Sequence, residues 1–119
     1  MSFAMSDPVS FVLHDAIDGL ALRQRVIADN IANVDTPNFR AHSVDFESAL
    51  SSAIDRGTVS TDQLQATVEE TQTPVGANNN NVDLRKESIA AIQTQFQYQI
   101  VGRAFTDRFD RLSAAAGSF

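Results

Sequence analysis

Apolar residues recur through the first part of the chain at Leu13, Ile17, Leu20, Ile27, Ile31 and Val34, at intervals of three, four and seven. This spacing is close to a heptad and predicts a long amphipathic helix with one stripe turned to a partner. Arg23 and Gln24 interrupt the stripe. Asp7 and Pro8 supply a start, an oxygen for an orphan amide followed by a residue that has no amide to leave unpaired. Pro37 supplies the stop: it lacks an N–H and drives Thr36 extended, so the helix closes near Asn33–Asp35. At 1.5 Å per residue its length is ~40 Å. Gly19, in the middle, costs about 1 kcal/mol relative to Ala. It marks either a close approach of a neighbour or a tolerated surface position.

A second long helix is predicted from Val82 to Ala116, with Asn81 or Asp83 as its cap and Gly117 as its end. Leu84, Ala91, Tyr98, Phe105, Leu112 and Phe119 fall at heptad intervals, and Phe109 and Ala116 extend the stripe. Ile89, Ile92, Phe96 and Ile100 form a second strip, placed on an adjacent face. One strip satisfies a hairpin with the first helix; a second implies contact with something further. Asp107 and Arg111 are spaced to pair along the helix, worth a few tenths of a kcal/mol, roughly 0.2–0.5.

Between the helices the pattern weakens. Phe39–His42 reads as extended. Asp45–Arg56 fits a short helix, with Phe46, Ala49, Leu50, Ala53 and Ile54 on one face and Gly57 to stop it. From residue 58 to 81 Ser, Thr, Asn, Gln and Asp dominate, and the apolar residues are too sparse for a core. Leu64–Val68 alternates like a short edge strand, and Asn78–Asn81 reads as a flexible linker and turn. The expected fold is mainly α. Its segments are an N-terminal helix (1–36), a turn, extended stretch and short helix (37–57), a polar flexible or weakly β segment (58–81), and a C-terminal helix (82–119). The two long helices pack as a coiled-coil-like hairpin in a single domain.

Composition narrows the chemistry. Nine basic against fifteen acidic residues give a net charge of −6 over 119 residues, which argues against nucleic acid and anionic membrane surfaces. Cysteine is absent, so disulfides, thiolate metal sites and cysteine nucleophiles are excluded. No stretch approaches the roughly 20 apolar residues of a membrane span, and the first residues lack the basic region of a secretory signal. His14 and His42 are far apart with no metal-ligand spacing, and Glu69-Glu70 reads as a charged loop. No nucleophile elbow or phosphate-binding glycine loop occurs. No catalytic, cofactor-binding or metal residues are therefore expected.

The unusual feature is the pair Asn30 and Asn33, three residues apart and just before the helix break. Their short amides can cap the last carbonyls, fix the exit of the chain or bond another subunit. The run Val26–Phe39, followed by Val44-Asp45-Phe46, resembles the N-terminal signature of the flagellar rod, hook and hook-associated proteins. In that family a helix ends in Asn-apolar-Ala-Asn, then Thr-Pro and an aromatic residue. Asn38 stands where the family usually has glycine, and asparagine tolerates the positive φ that glycine would supply. Asn80–Glu87 and Gln97-Tyr98-Gln99 extend the resemblance, which covers Pro8–Ile54 and Asn80–Leu112 and is greatest to the short rod proteins. The central segment leaves no room for the outer domain that hook proteins carry.

The resemblance implies a non-enzymatic building block of the basal-body rod, without cofactor or small-molecule substrate. It would assemble helically with itself and other rod subunits, meet the membrane ring through a FliE-type adaptor, transmit motor torque, and be exported uncleaved by the flagellar type III system. It also implies that Asn30, Asn33, Asp35, Thr36, Pro37 and Phe39 fix the chain's exit or a subunit contact. The helical seam is expected to comprise Leu13, Ile17, Leu20, Ile27 and Ile31 with Leu84, Tyr98, Phe105, Phe109 and Leu112. Without the signature, the same pattern fits a soluble helical-hairpin adaptor or a secretion chaperone. Neither has need of the Asn30–Phe39 element.

Overall fold

The computed structural model describes residues 8–57 and 66–117. Helix α1 (Pro8–Ala32) is followed by strand β1 (His42–Asp45), helix α2 (Glu47–Arg56), strand β2 (Thr67–Glu70), a 3-10 turn at Ala77–Asn79 and helix α3 (Leu84–Gly117). Long terminal helices with a short helix between them are what the sequence pattern predicts. The expected cap Asp7, Leu64 of the expected strand, and Phe119 of the heptad series lie outside the described residues.

Helices α1 and α3 run antiparallel along a body measuring 65 × 26 × 20 Å. Arg108 Nε donates to Ser10 Oγ at 3.3 Å, and the His14 and Phe105 rings meet edge to face at 5.2 Å. Gln24 meets Gln95, and Asn30 meets Glu87. Each step forward on α1 is thus matched by an equal step backward on α3. The interior holds Ala16, Leu20, Val44 and Phe46, with Leu22, Val26, Leu50, Tyr98 and Val101 packed around them. Gly19 is a close approach: a Cβ there would lie 2.3 Å from Cγ of the Phe46 ring.

The middle of the chain departs from its expected boundaries. Val44 and Asp45 belong to β1, which pairs antiparallel with β2 in the register His42↔Glu70 to Asp45↔Thr67. The strand expected at 64–68 is centred further along, at Thr67–Glu70, because it aligns with β1. Helix α2 starts at Glu47, and Asp45 Oδ1 accepts the Ser48 amide at 3.0 Å. That bond holds the Asp45 carboxyl below the usual carboxylate range. Gly57 ends the helix at φ 65°. Asp83 caps α3, its Oδ1 accepting the Arg85 and Lys86 amides at 3.0 and 3.2 Å.

At 100° per residue the two apolar strips of α3 fall on opposite sides of the helix rather than on adjacent faces. Thr94, Tyr98, Val101 and Phe105 face α1; Thr94 is buried and bonds back to the Ala90 carbonyl at 2.7 Å. Ile89, Ile92, Phe96 and Ile100 face outward. Four residues expected in the seam lie outside the contact between the two helices. Ile31, Leu84, Phe109 and Leu112 are exposed; each lies beyond the Ser10–Arg108 and Asn30–Glu87 bonds that join α1 and α3 among the described residues. Leu20 and Ile27 are buried within that overlap, and Leu13, Ile17, Tyr98 and Phe105 are half-buried.

Candidate functional site

The end of α1 is where the elements converge. Asn30 lies on the inner face one turn before the break and is 1% exposed. Its Nδ2 donates to the His42 carbonyl at 2.7 Å, and its Oδ1 accepts the His42 amide at 3.0 Å. The carboxamide therefore pairs with β1 as a neighbouring strand would, covering the edge opposite β2. The second Nδ2 hydrogen reaches Glu87 Oε1 on α3 at 3.1 Å. One side chain joins α1, β1 and α3.

Asn33 works locally. Its Nδ2 donates to the Asp29 carbonyl at 2.7 Å, and its Oδ1 accepts the Thr36 hydroxyl at 3.0 Å. These bonds turn the chain as Pro37 ends the helix. Asn38 takes φ 65°, the positive value that its place after Pro37 requires. Asp35, Thr36, Pro37 and Asn38 are all exposed around this turn. Phe39 is half-buried, with its ring edge to face with His42 at 6.3 Å.

The asparagine tract closes the junction. It is a turn, but composition misjudged it as a flexible linker, because two of its side chains are buried and fully engaged. Asn80 Nδ2 donates to the carbonyls of Asn33 and Thr36, both at 2.8 Å, and its Oδ1 accepts the Val82 amide. It supplies from a distant segment the cap that the end of α1 lacks. Asn81 Oδ1 accepts the Ala41 amide at 2.6 Å, and its Nδ2 donates to the Thr73 carbonyl at 3.1 Å. Asn79 Nδ2 donates to Asn38 Oδ1 at 2.9 Å, and Arg40 donates to both oxygens of Asn79. A second clamp lies further along α1. Arg23 donates to the Val44 carbonyl at 2.7 Å, to both Glu47 oxygens and to Gln97, with its guanidinium 4.8 Å above the Phe46 ring.

The family model for "Flagella basal body rod protein" matches residues 16–40, from the packed half of α1 through the turn. The flagellar basal body rod protein FlgB of Bacillus subtilis is 32% identical, over 84% of this chain and 86% of that protein. The chain belongs to the FlgB family of flagellar basal-body rod proteins. FlgB of Borreliella burgdorferi is 33% identical over 74% of the chain and 80% of that protein, and FlgB of Escherichia coli 32% over 72% and 76%. Membership makes the chain a structural component of the flagellar basal-body rod.

Within this rod protein the structure brings Asn30, Asn33, Thr36 and Phe39 into one bonded junction and leaves Asp35 and Pro37 at its surface. Sequence reasoning passed over Arg23, Asn80, Asn81 and Glu87. In the sequence Arg23 shows only as a break in the apolar stripe, Asn80 and Glu87 only as part of the run that extends the resemblance, and Asn81 as a candidate cap of α3 rather than a partner of Ala41. Among the described residues no group of three or more His, Asp or Glu is placed to hold a metal ion, and no helix is long and apolar enough to cross a membrane.

Glu87 is the charged member of the junction and is 5% exposed. Burial pushes its carboxyl above the usual range; the Asn30 bond and Lys86 oppose this, and Asp83 adds to it. A carboxyl with a raised folded pKa stabilises most below its unfolded value, and that contribution is lost as pH rises through the folded value. Glutamine keeps an acceptor for Asn30 without the charge. Glu87→Gln should therefore raise the thermal midpoint at pH 7. The gain should vanish below the ordinary glutamate pKa of about 4.3, as paired melts across pH will show. An equal gain at both ends of the range would mean that ionisation is not its source.

Proposed function

We propose that this rod protein joins the rod wall through the outer face of α3, with the asparagine junction holding the two long helices in the alignment that wall requires. The observation that carries the reading is the strip Ile89, Ile92, Phe96 and Ile100, 50%, 58%, 60% and 68% exposed. It runs along α3 for about 16 Å. A solitary hairpin buries one seam and solvates the other side, so a second apolar line requires a neighbour. The neighbours are other rod subunits and further copies of this chain. A FliE-type adaptor makes the junction with the membrane ring, and the chain reaches the rod uncleaved through the flagellar type III apparatus. Near-axial helices packed side by side resist twist through many parallel contacts, which is how such a wall carries torque. No catalytic role enters. The soluble adaptor or secretion chaperone is not favoured, since the relatives are rod proteins.

Phe96→Asp tests this without disturbing the interior, because the side chain is already 60% exposed. The purified variant should keep its helix content and unfold within about 0.5 kcal/mol of the parent. Cells carrying it in place of the wild type should lack the protein in their basal-body fraction and fail to swim. Normal swimming with normal incorporation would remove the outer face of α3 from the rod interface.

A further inference from the structure

The two edges of the small sheet differ. On the outer edge of β1 the His42 amide and carbonyl are both bonded to Asn30, and the Val44 carbonyl accepts from Arg23. These groups therefore point away from β2. In an antiparallel ladder, residues directly opposite each other turn their backbone groups either both inward or both outward. His42 stands opposite Glu70, and Val44 opposite Val68. The amides and carbonyls of Val68 and Glu70 accordingly point outward, along the far edge of β2. Among the described residues no hydrogen bond reaches them. One edge of the sheet is covered by side chains of α1, and the other is open. All four residues of β2 are exposed. Val68 is 45% exposed although it adjoins the buried Val44 on the same face. Glu69 and Glu70 beside it have no ion pair among the described residues.

We infer that β2 takes up an extended basic segment of a different protein as a third, antiparallel strand. The outward amides and carbonyls of Val68 and Glu70 supply the backbone bonds of such an addition, and the side chains supply its selectivity. Read along the added strand, two basic residues stand opposite Glu70 and Glu69, and an apolar residue follows opposite Val68. Glu69 and Glu70 lie on opposite faces of the sheet, so each face gains one pair of opposite charges. The apolar residue continues the row that Val44 and Val68 begin. A second copy is the wrong occupant. Two β2 edges brought together would set glutamates against one another, and charged edges keep like strands apart. The chain's one pair of adjacent basic residues, Arg85-Lys86, is in the first turn of α3 and is not extended. The inference does not rest on the rod reading, which concerns the outer face of α3.

The test uses the full chain, isotopically labelled for NMR, and the peptide acetyl-Thr-Lys-Lys-Val-Thr-Lys-amide at concentrations up to the millimolar range. The peptide should shift the Val68 and Glu70 amides and slow their hydrogen exchange. Val68→Pro removes one outward donor and leaves the ladder to β1 intact, because proline is tolerated where an edge strand turns its N–H to solvent. It should weaken binding at least tenfold. Glu69→Lys combined with Glu70→Lys should lose this peptide and gain its counterpart with Glu in place of Lys. Both glutamates are exposed, so this pair of changes carries the test even if the proline disturbs the sheet. Four results would each overturn the inference. They are no binding at millimolar peptide, shifts spread over acidic residues with Val68 and Glu70 unmoved, a charge-reversed protein that keeps its preference for the lysine peptide, and protection of the two amides that rises with protein concentration in the absence of peptide. The last would name a second copy as the occupant. Incorporation into basal bodies is a separate measurement and tests the rod reading alone.

Discussion

Asn30→Ala should lower the unfolding free energy by about 3 kcal/mol, more than any other single change in the signature. Its side chain is 1% exposed and makes three bonds, two to the His42 backbone and one to Glu87. Truncation leaves a backbone amide, a carbonyl and a buried carboxylate oxygen without partners, and each such loss costs roughly 1–3 kcal/mol before water relieves part of it. Asn33→Ala, three residues on, should cost below about 1 kcal/mol, because its bonds to Asp29 and Thr36 are exposed and local. Asn30→Asp should be worse than alanine: it removes both donors and sets a second carboxylate against Glu87. Urea unfolding of the three variants decides the order. An Asn30→Ala protein as stable as Asn33→Ala would show that the three-element junction contributes no more than a turn.

Gly19→Ala should destabilise by about 2 kcal/mol, although alanine is the better helix former by about 1 kcal/mol. A Cβ at residue 19 would sit 2.3, 2.5 and 2.8 Å from three atoms of the Phe46 ring. That ring is 8% exposed and lies beneath the Arg23 guanidinium, so it cannot swing clear without giving up the clamp on β1 and α2. The sign of the effect separates the two readings of Gly19 that the sequence leaves open, since a surface glycine would be improved by alanine. A double-mutant cycle with Phe46→Leu locates the cause. In the smaller background Gly19→Ala should lose most of its cost, giving a coupling of at least about 1 kcal/mol. Additive effects would place the strain elsewhere.

The Arg23 clamp is a feature that local pattern misses. Within the apolar stripe an arginine reads as an interruption. In the structure it gathers the Val44 carbonyl, Glu47 and Gln97 with its guanidinium over the Phe46 ring. Burial pushes the Glu47 carboxyl up, yet the Arg23 guanidinium holds it below the usual carboxylate range. The pair is part-exposed, so its weight lies in positioning α2 rather than in stability.

The sequence by itself determined what neighbours along the chain decide. The two long helices follow from their 3.6-residue periodicity, and Asp83 is legible as a cap because its side chain reaches amides two and three residues away. The break at Pro37, the positive φ of Asn38 and the stop at Gly57 follow from steric limits within single residues. The Asn30–Phe39 signature named the family for a related reason: it is a contiguous run. Only the tertiary structure decided the pairings that cross long separations. Asn30 with Glu87, Asn80 with the end of α1, β1 with β2 and Phe46 with Gly19 join residues that no periodicity relates. Periodicity places Tyr98 and Phe105 on the strip of α3 that meets α1, but it cannot say where the seam stops: Leu84, Phe109 and Leu112 share that strip and stand exposed, because the length of the overlap is set by how β1 and the junction align the two helices.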